Sequence, residues 1–384
     1  MKRSVRRILT THVGSLVRPK ELLELASEKS GPPKDPQLYN ERLRQAIAAV
    51  VKKQADIGID IVNDGEYGKS SWANYVLERM SGFEKRPAKE APRYWLGRDR
   101  ERFPEVIAQE FQHVSSGMAT HACTSPIRYS NPDDIRREID LFKSALSAVK
   151  VEDAFLTVVA PASAVYNATN EHYATEREYI FALADALRQE YLEVHKAGLI
   201  VQVDDAVLAN MYDHLVQTSP QHYRKWAELR VEALNHALRD IPEDRVRYHI
   251  CFGSWHLPHM SDAPLEEIVD IILQVRAGAY SVEAANPRHE HEWRVWQNGK
   301  LPKGKILIPG VITHHIVTVE HPQVVADRIV RYARLVGREN VIAGTDCGFA
   351  QVDLIQRVHP SVMWAKFEAL VAGAKLATKE LWGS

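Results

Sequence analysis

His249 and Cys251 stand two residues apart at the end of the apolar run that begins at Val246. On a strand, residues i and i+2 point to the same side. An imidazole and a thiolate side by side are good ligands for zinc. Two further donors end other short β-branched or apolar runs: Glu283 after Ala279 to Val282, and Cys347 in Asp346-Cys347-Gly348. His249, Cys251, Glu283 and Cys347 thus form one donor set drawn from three strands. Two thiolates and a carboxylate around Zn²⁺ give a formal charge of about −1. Such an electron-rich ion is a poor Lewis acid for water. It suits a bound thiol, held as a still-nucleophilic thiolate. The plainer alternatives are a structural metal site or four unrelated core residues.

Other polar residues also lie at strand ends. Gly14-Ser15 follows the first run, Asp64-Gly65-Glu66 the second, Asp204-Asp205 the fourth and His314-His315 the seventh. Glu66 and Asp204 are candidates to grip a substrate ammonium by charge-assisted hydrogen bonds. Their ordinary alternative is helix capping. His315 is a candidate general acid, against the alternative of a surface histidine. His256 and His259 read as solvated loop residues. His289 and His291, in Arg288-His-Glu-His-Glu292, resemble a metal tract but lie in a polar loop. Cys123 has no partner at ligand spacing and reads as an ordinary thiol.

The elements that must position these residues alternate. Strands are expected at Ile8–Val13, Ile59–Val62, Ala154–Val159, Leu199–Val203, Val246–Ile250, Ala279–Val282, Lys305–Ile308 and Val341–Ala343. Helices are expected between most of them, among them Asn40–Gly58, with Ile47, Val50, Val51 and Ala55 on one face. Thr175-Glu-Arg-Glu178 is a capping-box signature that opens another. Eight βα units suggest an α/β fold, a (β/α)8 TIM barrel over residues 1–384. Its carboxyl-end face would gather every candidate named above. An insertion, 85–137, rich in Arg, Glu and Pro, follows the second βα unit. No Gly-x-Gly-x-x-Gly follows the first strand, which argues against an open dinucleotide-binding sheet.

Composition narrows the function classes. The chain has 384 residues, 45% hydrophobic and 26% charged, with 49 Lys+Arg against 50 Asp+Glu. A net charge of −1 provides no basic excess for nucleic acid or an anionic membrane. No apolar run reaches the roughly 18 residues of a transmembrane helix, and Ile8 to Leu16 is too short and polar for a signal peptide. Three cysteines do not make a disulfide framework, so a cytoplasmic setting is expected. A homo-oligomer is compatible with a barrel of this size.

Taken in order, these segments resemble the catalytic C-terminal half of the cobalamin-independent methionine synthases and the stand-alone proteins built like it. Thr10 to Ser15 is similar to the family's first strand and turn, which binds the amino-acid thiol. Asn63-Asp64-Gly65-Glu66 is similar to its glutamate turn, and Gln202-Val203-Asp204-Asp205 to its Gln-Ile-Asp-Glu segment. His249-Ile250-Cys251, Glu283 and Asp346-Cys347-Gly348 are similar to its zinc-ligand segments. Gly310 to His315 is similar to the segment that carries its catalytic histidine. The resemblance covers nearly the whole chain. It implies zinc on His249, Cys251, Glu283 and Cys347, a thiol site at Gly14, Ser15, Glu66 and Asp204, and His315 in catalysis.

Two features differ from the family pattern. The full-length synthase has a second, N-terminal barrel that helps hold polyglutamylated folate, and none is expected here. Its methyl-donor segment carries a tryptophan, whereas Ala160 to Tyr166 has none. The expected partners are therefore a small thiol, homocysteine above all, and an alkyl donor left open among folate, methylcobalamin, an epoxide or another. The runner-up is epoxide opening by coenzyme M, with Arg18 or Lys69 facing the sulfonate. A barrel hydrolase or lyase acting through metal-activated water is a rival of another class, and a non-catalytic thiol-binding or metal-storage protein a third.

Overall fold

Eight short strands, nearly all of their residues buried, follow one another in chain order: β1 Leu9–Thr10, β2 Ile61–Val62, β3 Asp153–Val159, β4 Ile200–Asp205, β5 Val246–Ile250, β6 Ala279–Val282, β7 Ile306–Ile312 and β8 Ile342–Thr345. The computed structural model describes residues 1–26, 33, 35–87, 97–111, 119–350 and 356–383. All pairings among the eight are parallel, from β2 through β3 to β8 and on to β1. At the β1–β2 seam the Asp60 amide donates to the Thr10 carbonyl at 3.2 Å. There the Thr11 hydroxyl also donates to the Ile61 carbonyl at 3.0 Å. These bonds bring the ends of the sheet together as a near-barrel.

Strands covered on both faces read as continuous apolar runs rather than alternating ones. The covering helices are α1 Pro36–Ile57, α2 Pro132–Leu146, α3 Glu176–Lys196, α4 Pro220–Ala237, α5 Leu265–Ile272, α6 Pro322–Val336 and α7 Pro360–Trp382. After β6 the chain uses a 3₁₀ segment, Glu290–Gly299, in place of an α-helix. The ends of α1 are written in sequence. The Asp35 carboxylate accepts from the amides of Gln37 and Leu38, and Gly58 closes the helix at φ 102°. The Thr175–Glu178 capping box opens α3 as its sequence predicts.

The barrel interior is layered. Leu9, Ile61, Phe155, Ile200, Ala279, Ile306, Ile308 and Ile342 form a closed apolar floor. Above it Arg247 lies with its guanidinium carbon 3.9 Å from the centre of the Phe155 ring. It donates to the Thr11 hydroxyl at 2.9 Å and to the His12 carbonyl. Burial pushes this guanidinium down to about 9. Arg247 is two residues before His249, so the same pleat that seats it as a plug aims His249 inward.

β7 runs further than its sequence suggests. The strand expected to end at Ile308 continues through Pro309-Gly310 to Ile312. Pro309 pairs with Val282 on one side, and the register towards β8 shifts between Gly310 and Ile312. A Cβ on Gly310 would lie 2.1 Å from the Asp346 carboxylate. The glycine exists to let that carboxylate cross the strand.

Between β2 and α2 the chain makes an excursion. Met80–Pro87 and Ala119–Tyr129 pair antiparallel, and Ala168–Asn170 adds in parallel. Within the expected insertion, 88–96 and 112–118 lie outside the described residues, and 132–137 form the first turns of α2. A buried polar knot ties the excursion to the barrel. Arg79 donates to Glu190 at 2.9 Å and to Glu138, and Tyr75 and Tyr129 donate to Glu190 at 2.6 and 2.7 Å. Among the described residues no helix is long and apolar enough to cross a membrane.

Candidate metal centre

β5 delivers His249 and Cys251 to the carboxyl end of the barrel, and the turn after β8 delivers Cys347. All three are buried, with mutual donor distances within 4.8 Å. The two sulfurs are 3.4 Å apart. Two sulfurs on one tetrahedral zinc lie about 3.8 Å apart, so a small opening of the pair accommodates the ion. The Gly253 amide donates to Cys251 Sγ at 3.2 Å, and the Ser254 hydroxyl to Cys347 Sγ at 3.1 Å. The pair divides one proton unequally. The contact with Cys251 draws Cys347 well below the usual thiol range, and the same contact pushes Cys251 up. Apart from the Cys347 sulfur beside it, the His249 ring has no hydrogen-bond partner, although it is 1% exposed. A buried imidazole with idle nitrogens beside two sulfurs costs free energy that a bound cation would recover. The donor set therefore fits zinc.

Glu283, at the end of β6, adjoins this group. Its oxygens accept from the Phe252 amide at 3.0 Å and from Asn286 Nδ2 at 2.9 Å. Burial, then the charges of Asp346 and Cys347, lift its pKa to about 8. Asp346 braces the loop that follows. It accepts from the amides of Ala284, Ala285 and Asn286 and from the Asn286 side chain. His314, from the end of β7, lies with Glu283 and Asp346 in a second buried group whose donor atoms are within 4.8 Å of one another.

The turn after β2 carries Glu66 in a strained backbone. Gly65 and Glu66 both have positive φ, 74° and 60°. The Asn63 and Asp64 side chains hold the turn by accepting from the amides of Gly65 and Glu66 at 2.8 and 3.0 Å. Gly14 leaves the space that Glu66 fills, since a Cβ there would lie 2.7 Å from Glu66 Oε1. Burial raises the Glu66 pKa and lifts Asp204 to about 8. Each of the two feels the charge of Cys347, and Asp204 stands in register with His249 on the neighbouring strand. Ser15 points elsewhere. Its hydroxyl donates to the Ala350 carbonyl, and its own carbonyl accepts from Phe349 at 2.7 Å. Ser15 thus braces the turn that carries Cys347.

Arg18 and Lys69 are buried beside this turn. Lys69 Nζ donates to the Thr157 carbonyl and hydroxyl at 2.5 and 2.8 Å. Arg18 donates to the carbonyls of Glu66, Lys69 and Ala350 at 2.9, 2.8 and 3.1 Å. Both cations hold protein oxygens.

His315 stands half-buried at the mouth, with His314, His256 and His259 at ring-centre distances of 4.6, 5.9 and 6.3 Å. Burial, then the charges of His259, His256 and Arg357, push its pKa to about 3. It enters neutral-pH chemistry as an uncharged imidazole that can donate through its ring N–H.

The sequence reading of His259 as a solvated loop residue is corrected. Its nitrogens meet Asp262 at 2.8 Å and the Trp255 carbonyl at 3.0 Å. Asp262 also accepts from His289 at 3.0 Å, and His289 meets Glu292 at 2.9 Å. Burial opposes charge on both rings, but the carboxylates prevail and raise His259 to about 9 and His289 to about 10. His289 is buried in this chain, and its loop is not a solvated metal tract. Each histidine has an acid three residues on, a repeated spacing that sequence reasoning could have used. Trp72 was also passed over. It packs against Val13, Ala206, Cys251 and Cys347, and stacks on Tyr166 at 5.8 Å and 23°.

A parallel near-barrel with imidazole, thiol and carboxyl groups gathered at its carboxyl end has the layout of a barrel enzyme, with a group of donors able to hold a metal ion. Residues 122–366, more than half of the chain, match the family described as cobalamin-independent synthase, catalytic domain. The chain belongs to that family. It is 23% identical over 375 residues to a methionine synthase of Thermococcus kodakarensis, covering 97% of this chain and 94% of that one. It is 24% identical over 374 residues to a 2-hydroxypropyl-CoM lyase of Xanthobacter autotrophicus, covering 90% and 87%. A B12-independent methionine synthase from a Shewanella species, solved with selenomethionine, has the same fold, with a TM-score of 0.71, 18% identity, and coverage of 98% of this chain and 100% of that one.

Proposed function

We propose that the protein transfers a methyl group to the sulfur of homocysteine, giving methionine, with zinc held by His249, Cys251, Cys347 and Glu283. The observation that carries this reading is the buried His249–Cys251–Cys347 group with the carboxylates of Glu66 and Asp204 facing the same space. When bound, zinc lowers the pKa of a thiol and keeps it nucleophilic.

The chain's own residues do the rest. Glu66 and Asp204 take the substrate ammonium and so fix which way the thiol points. Asp204 is itself held by Gln202, which donates to it at 2.7 Å. The sulfur forms its new bond to the methyl carbon as the bond from that carbon to the donor breaks, its electron pair leaving with the donor. His315, uncharged, steadies the departing group by a hydrogen bond from its ring N–H, and the proton that the group takes up comes from solvent. The stacked pair of Trp72 and Tyr166 walls the thiolate side, a surface suited to a donor with a flat ring or a positive charge.

A sulfonate thiol would need cations where this site presents carboxylates. Arg18 and Lys69 hold carbonyl oxygens, and Arg357, which feels the charge of both cysteines, is paired with Glu110 at 2.6 Å. The test supplies purified, zinc-loaded enzyme with homocysteine and, in separate reactions, methyltetrahydrofolate or methylcobalamin. Coenzyme M with epoxypropane is run in parallel, and products are read by mass spectrometry. Methionine from either methyl donor supports the proposal. Alkylated coenzyme M without methionine overturns it.

A further inference from the structure

His314 has no use in the account so far, and its surroundings are costly. The side chain is 0% exposed, and neither ring nitrogen has a hydrogen-bond partner among the described residues. Leaving both idle in a dry interior is unfavourable. Its neighbours are acidic: Glu283 and Asp346 place donor atoms within 4.8 Å of it. One of the two nitrogens of a neutral imidazole carries a lone pair. A lone pair within 4.8 Å of two carboxylate donors is an arrangement that a cation would satisfy.

The two carboxylates are not equivalent. Asp346 already accepts four hydrogen bonds, which fill its lone-pair positions. Each oxygen of Glu283 accepts one, leaving a position open on both. The donors open to a cation are therefore Glu283 and His314. Glu283 accepts from the amide of Phe252, the residue after Cys251, and Asp346 precedes Cys347, so this pair borders the thiolate group. His314 is held where it is. Lys366 of α7 donates to the Thr313 hydroxyl at 3.0 Å and to Glu320 at 2.8 Å. Glu320 accepts from the Thr313 amide at 2.7 Å, clamping the backbone just before the histidine.

We propose that His314 is a metal donor that alternates with Glu283 for the fourth position beside His249, Cys251 and Cys347. The inference rests on the thiolate centre described under the proposed function. Its chemical consequence is a change of charge. With Glu283 the zinc centre is about −1; with a neutral imidazole in its place it is about 0. The first favours a nucleophilic sulfur, and the second favours loss of the thiol proton. One site would then serve both needs in turn.

The test reads the metal and not turnover. The full chain is stripped, loaded with Co²⁺, and followed by its visible absorption and by competition with a chelator. The wild type is compared with His314→Ala, His314→Asn, Glu283→Gln, the Glu283→Gln/His314→Ala double variant and Cys347→Ala. Melting of each metal-free chain shows which variants fold, and the asparagine variant stands in if alanine does not. The proposal expects His314→Ala and Glu283→Gln each to keep Co²⁺ to within a few-fold, one donor standing in for the other, and the double variant to bind it about tenfold or more weakly, the scale on which metal sites lose affinity when their support is removed. It also expects Glu283→Gln to keep an intense four-coordinate spectrum that the double variant loses. A double variant equal to Glu283→Gln in affinity and spectrum would overturn it. Cys347→Ala separates the two levels. If it keeps Co²⁺ at full affinity, the thiolate centre itself is wrong; if it alone loses Co²⁺, only the role of His314 is.

Discussion

Replacing Glu66 by Gln should weaken the thiol substrate selectively. The carboxylate is 2% exposed, and its Oε2 has no hydrogen-bond partner. Lys69, the nearest cation by charge, has its ammonium on Thr157. One acceptor oxygen is thus open to a ligand ammonium. A hydrogen bond involving a charged group contributes about 1.5 to 3 kcal/mol, which corresponds to roughly 10- to 150-fold in binding. Glutamine has nearly the same shape, so the strained turn at Gly65 and Glu66 is kept. The assay is KM for homocysteine beside KM for 3-mercaptopropionate, a thiol without the ammonium. The variant should raise the first by that factor and leave the second within about twofold. Asp204→Asn should act in the same direction. An equal loss for both thiols would mean that Glu66 supports the site rather than reads the ammonium. No loss for either would refute the reasoning.

Gly310→Ala should remove the metal at a distance from its donors, because the new Cβ meets the Asp346 carboxylate that braces the loop after Glu283. Metal content should fall well below one per chain, with stability down by about 1 to 3 kcal/mol; normal metal loading would contradict the bracing role. Arg79→Ala leaves Glu138 and Glu190 buried without their cation, with side chains 3% and 0% exposed. Urea unfolding should show a loss of about 3 to 5 kcal/mol, and a loss below about 1 would mean the knot is dispensable. His259 and His289 have folded pKa values of about 9 and about 10, above the unfolded value near 6.5. Their contribution is complete below about pH 6.5 and is lost as pH rises through 9 to 10. His289→Asn should therefore lower the melting temperature strongly at about pH 7 and much less at about pH 10.5; equal losses at both would show that packing, not charge, is what the residue provides.

Much of the site was legible because barrel geometry is periodic. His249 and Cys251 could be paired from their i, i+2 spacing, and the residues at strand ends could be gathered once eight βα units were counted. β5 and β6 have the bounds their sequences predict. The misreadings share a physical cause. Pro309-Gly310 has the local signature of a turn, and only the Asp346 carboxylate from β8 explains why a strand carries it. His259 and His289 sit in polar sequence, yet the salt links to Asp262 and Glu292 bury them. Trp72 reaches the thiolates because the excursion begins there, a contact with no local sequence signal. Such facts belong to tertiary contacts, which patterns of adjacent residues do not encode.

The central claim is that a metal on paired thiolates activates a thiol. Its most direct test is zinc content of the wild type beside Cys347→Ala, followed by addition of homocysteine or coenzyme M to the loaded wild type in weak buffer. The account predicts one zinc per wild-type chain, its loss in the variant, and proton release with homocysteine but not with coenzyme M. Full zinc retention in Cys347→Ala, or proton release with coenzyme M alone, would contradict it.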